Sequence, residues 1–106
     1  MVLPGLDEAT VRVCLNGEFD IGRSAELAEQ MVYAVIAARG RLLIVDLAGV
    51  TFLDASAVDI LQRTRMVANE IGADFVIANP GHPVRIVIDL LGDLSELMTP
   101  SFHAPN

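Results

Sequence analysis

A carboxylate, a hydroxyl and the start of a helix meet in the segment Leu53-Asp54-Ala55-Ser56-Ala57. The first N–H groups of a helix have no intrahelical partner and lie at the positive end of its dipole. A hydroxyl there, such as that of Ser56, can carry a phosphate, and the free N–H groups can receive an anion or a partner's polar group. The plain alternative is capping, in which the Asp54 carboxylate accepts from those same groups. Other reactive side chains are scattered. His82 and His103 lie in or beside proline-containing loops, with no second ligand at metal spacing. Cys14 is the single cysteine and has no histidine at motif spacing, so neither an intrachain disulfide nor a CxxC motif can form. All seven basic residues are arginine. Without lysine there is no P-loop GK[ST] site, no Schiff base and no phospho-aspartate site that uses a lysine. None of G-x-S-x-G, H-E-x-x-H or G-x-G-x-x-G occurs. The expectation is a protein that is not an enzyme and needs no metal or cofactor.

The hydrophobic pattern predicts the elements around that segment. Val11 to Leu15 alternates apolar and polar and reads as a half-buried strand. Asn16-Gly17 reads as a turn, with Glu18 to Asp20 as a short antiparallel return strand. A helix is expected from Arg23 or Ser24 to about Ala38, with Leu27, Met31, Val35 and Ala38 as its stripe and Gly40 at its C-cap. Leu42 to Val45 is an uninterrupted apolar run ended by Asp46, the pattern of a central strand buried on both faces. A loop containing Gly49 then leads to Asp54 and a second helix, Ala55 to Ile71. Its inward face is Ala57, Ile60, Leu61, Thr64, Val67, Ala68 and Ile71, and Asp59 and Arg63 form an i,i+4 pair. Gly72 closes it, and Phe75 to Ala78 is a further strand.

Asn79-Pro80-Gly81 reads as a turn, and Pro83 suits the first position of a third helix. Val84, Val87, Ile88 and Leu91 are its stripe, and Gly92 ends it. Leu94 to Met98 reads as a terminal turn or strand, and residues 99–106 as a frayed tail. The strand–helix–strand unit around the second helix implies parallel strands and a right-handed crossover. The fold class is therefore α/β, a mixed sheet of about four strands with three main helices packed mostly on one face. Leu43, Ile44, Val45, Leu61, Val67, Phe75 and Ile77 are expected to be nearly fully buried.

At 100° per residue, Ala55, Asp59, Gln62 and Met66 point outward from the second helix, with Val58 nearby and Ser56 on the flank. Ala55, Val58 and Met66 around one acid form a small smooth patch beside a helix N-terminus, a fair docking site.

Four blocks of the chain resemble the STAS domain family, the sulfate-transporter and anti-sigma-factor antagonist domains. Gly17-Glu18-Phe19-Asp20 with Ala25-Glu26-Leu27 is similar to the family's G-E-[LF]-D entry to its first helix. Leu43 to Asp54 is similar to its central strand and loop, and Asp54-Ala55-Ser56-Ala57 stands in place of its D-S-S-G motif. Asn79-Pro80, then Val84-Arg85, Val87, Leu90 and Gly92, resemble its fourth-strand exit and third helix.

The resemblance implies a bacterial, cytoplasmic regulator of transcription that binds a kinase-type anti-sigma factor. It places the docking surface at Asp20, Gly22, Asp54, Ala55, Ser56, Val58, Asp59 and Met66. The family's phosphoacceptor position falls on Ala55, which has no hydroxyl, and Ala57 replaces the motif glycine. Ser56 is then the remaining phosphoacceptor candidate. Without it, the chain is a constitutive antagonist, or an adaptor whose switch lies in its partner. The other readings the family allows are a module binding a nucleotide or small anionic ligand, and an accessory subunit of a transporter complex. The chain ends soon after Leu97, where the family adds another helix, so an open sheet face would favour a partner or a homodimer contact.

Composition agrees with such a protein. The 106 residues suit one domain, 1–106, with a core from about 11 to 97, and 53% of them are hydrophobic. A net charge of -7 argues against nucleic acid as a partner, and none is expected. No apolar run approaches the roughly 20 residues of a membrane helix, and the N-terminus lacks the pattern of a signal peptide. A cytoplasmic protein with no membrane insertion is expected.

Overall fold

Alternating apolar residues build the sheet of this protein, seen here in a computed structural model that describes residues 2–4 and 9–101. The elements are β1 (Val2–Pro4), β2 (Thr10–Phe19), α1 (Ser24–Ala37), β3 (Leu42–Leu53), α2 (Ala55–Glu70), β4 (Asp74–Ala78), α3 (His82–Leu91) and α4 (Leu94–Met98). Sheet order is β1-β2-β3-β4. Strands β2, β3 and β4 are parallel, and β1 runs antiparallel along β2. Val11, Val13 and Leu15 of β2, Leu43, Val45 and Leu47 of β3, and Phe75 and Ile77 of β4 are buried in one cluster with the inner residues of all four helices. Their neighbours Arg12, Cys14, Ile44, Asp46 and Val76 turn to the other face and are half-buried. Helices thus cover one face. This corrects the expectation that Leu42–Val45 is buried on both sides and that Ile44 is core, because the period of 2 sends Ile44 to the uncovered face.

The hairpin expected at Asn16-Gly17 is absent. β2 runs straight through it, parallel to β3 as far as the Phe19–Leu53 pair, with register shifts after Cys14 and after Gly17. Gly17 has φ +92°, which a bulge uses as readily as a turn does. The stretch around Gly49 is likewise strand and not loop. Extension of β3 to Leu53 offers β2 a long parallel partner, and this neighbour outweighs the local turn preference. The four strands read from the sequence therefore reduce to three, and the antiparallel pairing comes from β1, which that reading did not assign.

Gly49 sits where β2 bulges toward β3. A Cβ there would overlap the Asn16 side-chain amide and approach the Leu15 carbonyl oxygen to 3.1 Å. Gly49→Ala should cost about 1–3 kcal/mol in urea unfolding. Adding Asn16→Ala should recover part of that loss, whereas strictly additive effects would contradict the close approach.

On the uncovered face, the Asp46 carboxylate accepts from Arg12 at 2.9 Å, the Ala48 N–H at 2.9 Å and Asn79 at 3.4 Å. Burial pushes its carboxyl up, but these hydrogen bonds and the Arg12 charge outweigh burial and hold it below its ordinary value. A lowered folded-state pKa stabilises the fold above the unfolded value and loses that contribution as pH falls through the folded one. The stability difference between wild type and Asp46→Asn should therefore be full at neutral pH and fade in acid, below the usual carboxylate range. A difference that is flat from pH 7 to pH 2.5 would contradict this role.

Several other expectations are corrected. Leu94–Met98 is helical, capped by Asp93, whose carboxylate accepts from Glu96 N–H at 2.9 Å. Leu97 fills the core beside it, so a fourth helix is present after all. Thr99–Ser101 is docked rather than frayed, since Ser101 pairs with Phe75 through bonds of 2.9 and 3.2 Å. Residues 102–106 of the expected tail lie outside the described residues. Val67 and Leu91, read as inward, are exposed because none of the described elements covers those edges of α2 and α3.

Candidate functional site

The parallel strands β2 and β3 end side by side at Phe19 and Leu53, so the turns that follow them become neighbours. The Asp54 N–H donates to the Phe19 carbonyl at 3.2 Å and closes the pair. After β2, residues Ile21–Arg23 form one 3-10 turn capped by Asp20, whose carboxylate accepts from the Gly22 N–H at 2.9 Å. Arg23 lies 4.2 Å from the centre of the Phe19 ring, donates to the Glu18 carbonyl at 2.8 Å and pairs with Glu26. After β3, Asp54 caps α2. Its Oδ1 accepts from the N–H groups of Ser56 and Ala57 at 3.0 and 3.2 Å, and from the Ser56 hydroxyl at 2.6 Å. The Ser56 hydroxyl is the main cause holding the Asp54 carboxyl below its ordinary value, with burial opposing and the N–H groups of Ala57, Ser56 and Ile21 assisting. The Asp54 N–H bond to the Phe19 carbonyl is the tie between the two turns.

These contacts bring Asp20, Gly22, Asp54, Ala55 and Ser56 onto one surface. Ala55 is exposed, Ser56 is half-buried on the flank, and Asp59 follows one turn along α2, exposed and paired with Arg63 at 2.8 Å. Two expected members are placed elsewhere. Val58, read as outward, is 1% exposed. The α3–α4 connection lies over it: a Cβ on Gly92 would stand 2.8 Å from Val58 Cγ1, and Gln62 beside it accepts from the Asp93 N–H at 3.0 Å. Met66 is exposed, but eleven residues of helix put it about 16 Å along α2 from Ala55. In their place stands Ile21, 76% exposed between Asp20 and Gly22 and absent from the expected set. Its apolar side chain was readable in the sequence, but its exposure was not.

Of the first-turn N–H groups of α2, those of Ser56 and Ala57 already donate to the Asp54 carboxylate, whose charge would also repel an anion. A separate groove of about 420 Å³ runs between α1 and α2 and is lined mainly by apolar side chains, with Asp59 and Arg63 among its few polar ones. Among the described residues, no cluster of His, Cys, Asp or Glu could hold a metal ion, and no helix is long and apolar enough to cross a membrane.

The family model described as the STAS domain matches residues 3–103. Among solved structures, the chain is similar to an anti-sigma factor antagonist from Mycobacterium paratuberculosis, with TM-score 0.71 and 23% identity over 85% of this chain and 75% of that one. It is also similar to the antagonist SpoIIAA in its unphosphorylated form, with TM-score 0.63 and 18% identity over 85% of this chain and 81% of that one. The Bacillus cell fate determinant SpoIIAA in its phosphorylated form aligns with 100% of this chain and 91% of its own, at TM-score 0.67 and 18% identity. These likenesses concern the fold. Among curated proteins, none matches the chain.

Proposed function

The chain belongs to the STAS domain family, and from that premise we propose that it is an antagonist of a kinase-type anti-sigma factor, acting in the control of transcription. Its docking surface is the pair of turns at Asp20–Gly22 and Asp54–Ser56, with Asp59 beside them. The observation that carries the reading is the state of the α2 N-terminus. Ala55, at the family's acceptor position, is exposed and without a hydroxyl, while the Ser56 hydroxyl is spent on Asp54 at 2.6 Å. A phosphate on Ser56 would set about two negative charges against the Asp54 carboxylate. The surface is thus kept in a form fit for docking, and the antagonist is constitutive. A ligand-binding module that takes an anion at this helix end is disfavoured, because Asp54 already occupies the donors of Ser56 and Ala57.

The test is pairwise calorimetry of the purified chain against each purified kinase-type anti-sigma factor of the source organism. One of them should bind it and release its sigma factor in competition, and ATP should add no phosphate to the wild-type chain. Binding to none of them, together with a melting temperature raised by a nucleotide, would favour the ligand-binding reading instead.

A further inference from the structure

We propose that Ile21 is the anchor by which this surface holds its partner, an apolar plug that enters an apolar pocket with a basic rim. The inference rests on the antagonist reading above and names the contact on which its affinity depends. At 76% exposure Ile21 is among the most solvent-exposed large apolar side chains described. Its backbone, in contrast, lies in a hydrogen-bonded turn. The Ile21 carbonyl accepts from the Ser24 N–H and, at 2.8 Å, from the Ser24 hydroxyl. The flanking residues are held too, Gly22 N–H on the Asp20 carboxylate at 2.9 Å and Arg23 N–H on the Asp20 carbonyl at 3.0 Å. A β-branched side chain on such a backbone loses little freedom when it is covered, so its burial goes mostly into affinity. Among the described residues, Ile21 takes no part in the hydrophobic core.

Charge sets the chemistry of the rim. Asp20 precedes Ile21 and is exposed, and Asp54 begins the neighbouring turn, its N–H on the Phe19 carbonyl. The nearest cation, Arg23, is occupied by Glu26 and by main-chain carbonyls. A pocket that accepts Ile21 therefore meets carboxylates at its edge, and arginine or lysine complements them.

The experiment measures binding and dissociation of Ile21 variants with the anti-sigma factor found to bind the wild type, alongside Ala55→Asp and the remote control Ile36→Ala on α1. Ile21→Ala should weaken binding about tenfold to a hundredfold, mainly through faster dissociation, and Ile21→Val should stay within a few-fold of wild type. Ile36→Ala should bind as wild type, and raising salt should slow association. Melting temperatures of all variants should stay near that of wild type, because none of these side chains is in the core. If Ala55→Asp weakens binding while Ile21→Ala and Ile21→Asp stay within twofold of wild type, the inference fails and the antagonist reading stands. If the wild type binds no kinase-type anti-sigma factor, the reading fails and the inference goes with it.

Discussion

Leu61→Ala is expected to remove about 2–5 kcal/mol of folding free energy, a large share of the roughly 5–15 kcal/mol that holds a domain together. Leu61 lies on the inner face of α2, 1% exposed, within the core shared with the strands. Shortening it leaves a hole that close-packed neighbours cannot refill, so lost transfer energy and lost contacts add. Val67 is the comparison, six residues further along the same helix and 47% exposed beside the groove between α1 and α2. Val67→Ala should cost no more than about 1 kcal/mol. In urea titrations both variants should keep the wild-type slope, with the midpoint displaced far more for Leu61→Ala. A larger loss for Val67→Ala would place the helix in the wrong rotation.

Ala55→Asp should weaken binding to a kinase-type anti-sigma factor by about 2–4 kcal/mol, through desolvation of the new charge and repulsion within an interface that already holds Asp20, Asp54 and Asp59. The fold should barely respond, because an acid in the first turn of a helix suits its dipole. Ala55→Ser is the sharper variant. It puts a hydroxyl at an exposed position that has none, and incubation with the partner kinase and ATP should label it strongly and leave the wild type unlabelled. Equal labelling of both, abolished in the wild type by Ser56→Ala, would make Ser56 the switch and end the constitutive reading. That outcome would require Ser56 to leave the Asp54 carboxylate during transfer.

Features written within one element were legible in the chain. Asp54 caps α2, as a carboxylate next to a helical stripe must, and Gly72 follows its end at φ +87°. Pro83 lies in the first turn of α3, one place after the His82 that opens it, and the i,i+4 pair of Asp59 and Arg63 forms as its spacing requires. Such features depend on residues a turn or less apart, so the sequence states them outright. Beyond the parallel pairing of β3 and β4, which the strand–helix–strand order implied, features that depend on what lies across a gap of thirty or more residues were not legible. Asn16-Gly17 carries a turn signal, yet it stays in a strand because β3 reaches as far as Leu53 and supplies the hydrogen bonds. Ile44 and Val45 look alike in an apolar run, and only the side of the sheet that the helices cover separates them. Val58 lies close to Ala55 on a helical wheel, but the α3–α4 connection buries the first and leaves the second in solvent. Ile21 reaches solvent on a turn that Asp20 caps, just past the point where β2 stops pairing with β3 at Phe19 and Leu53. Periodicity and capping are local free energies, whereas cover, register and display come from neighbours that the chain meets only once it has folded.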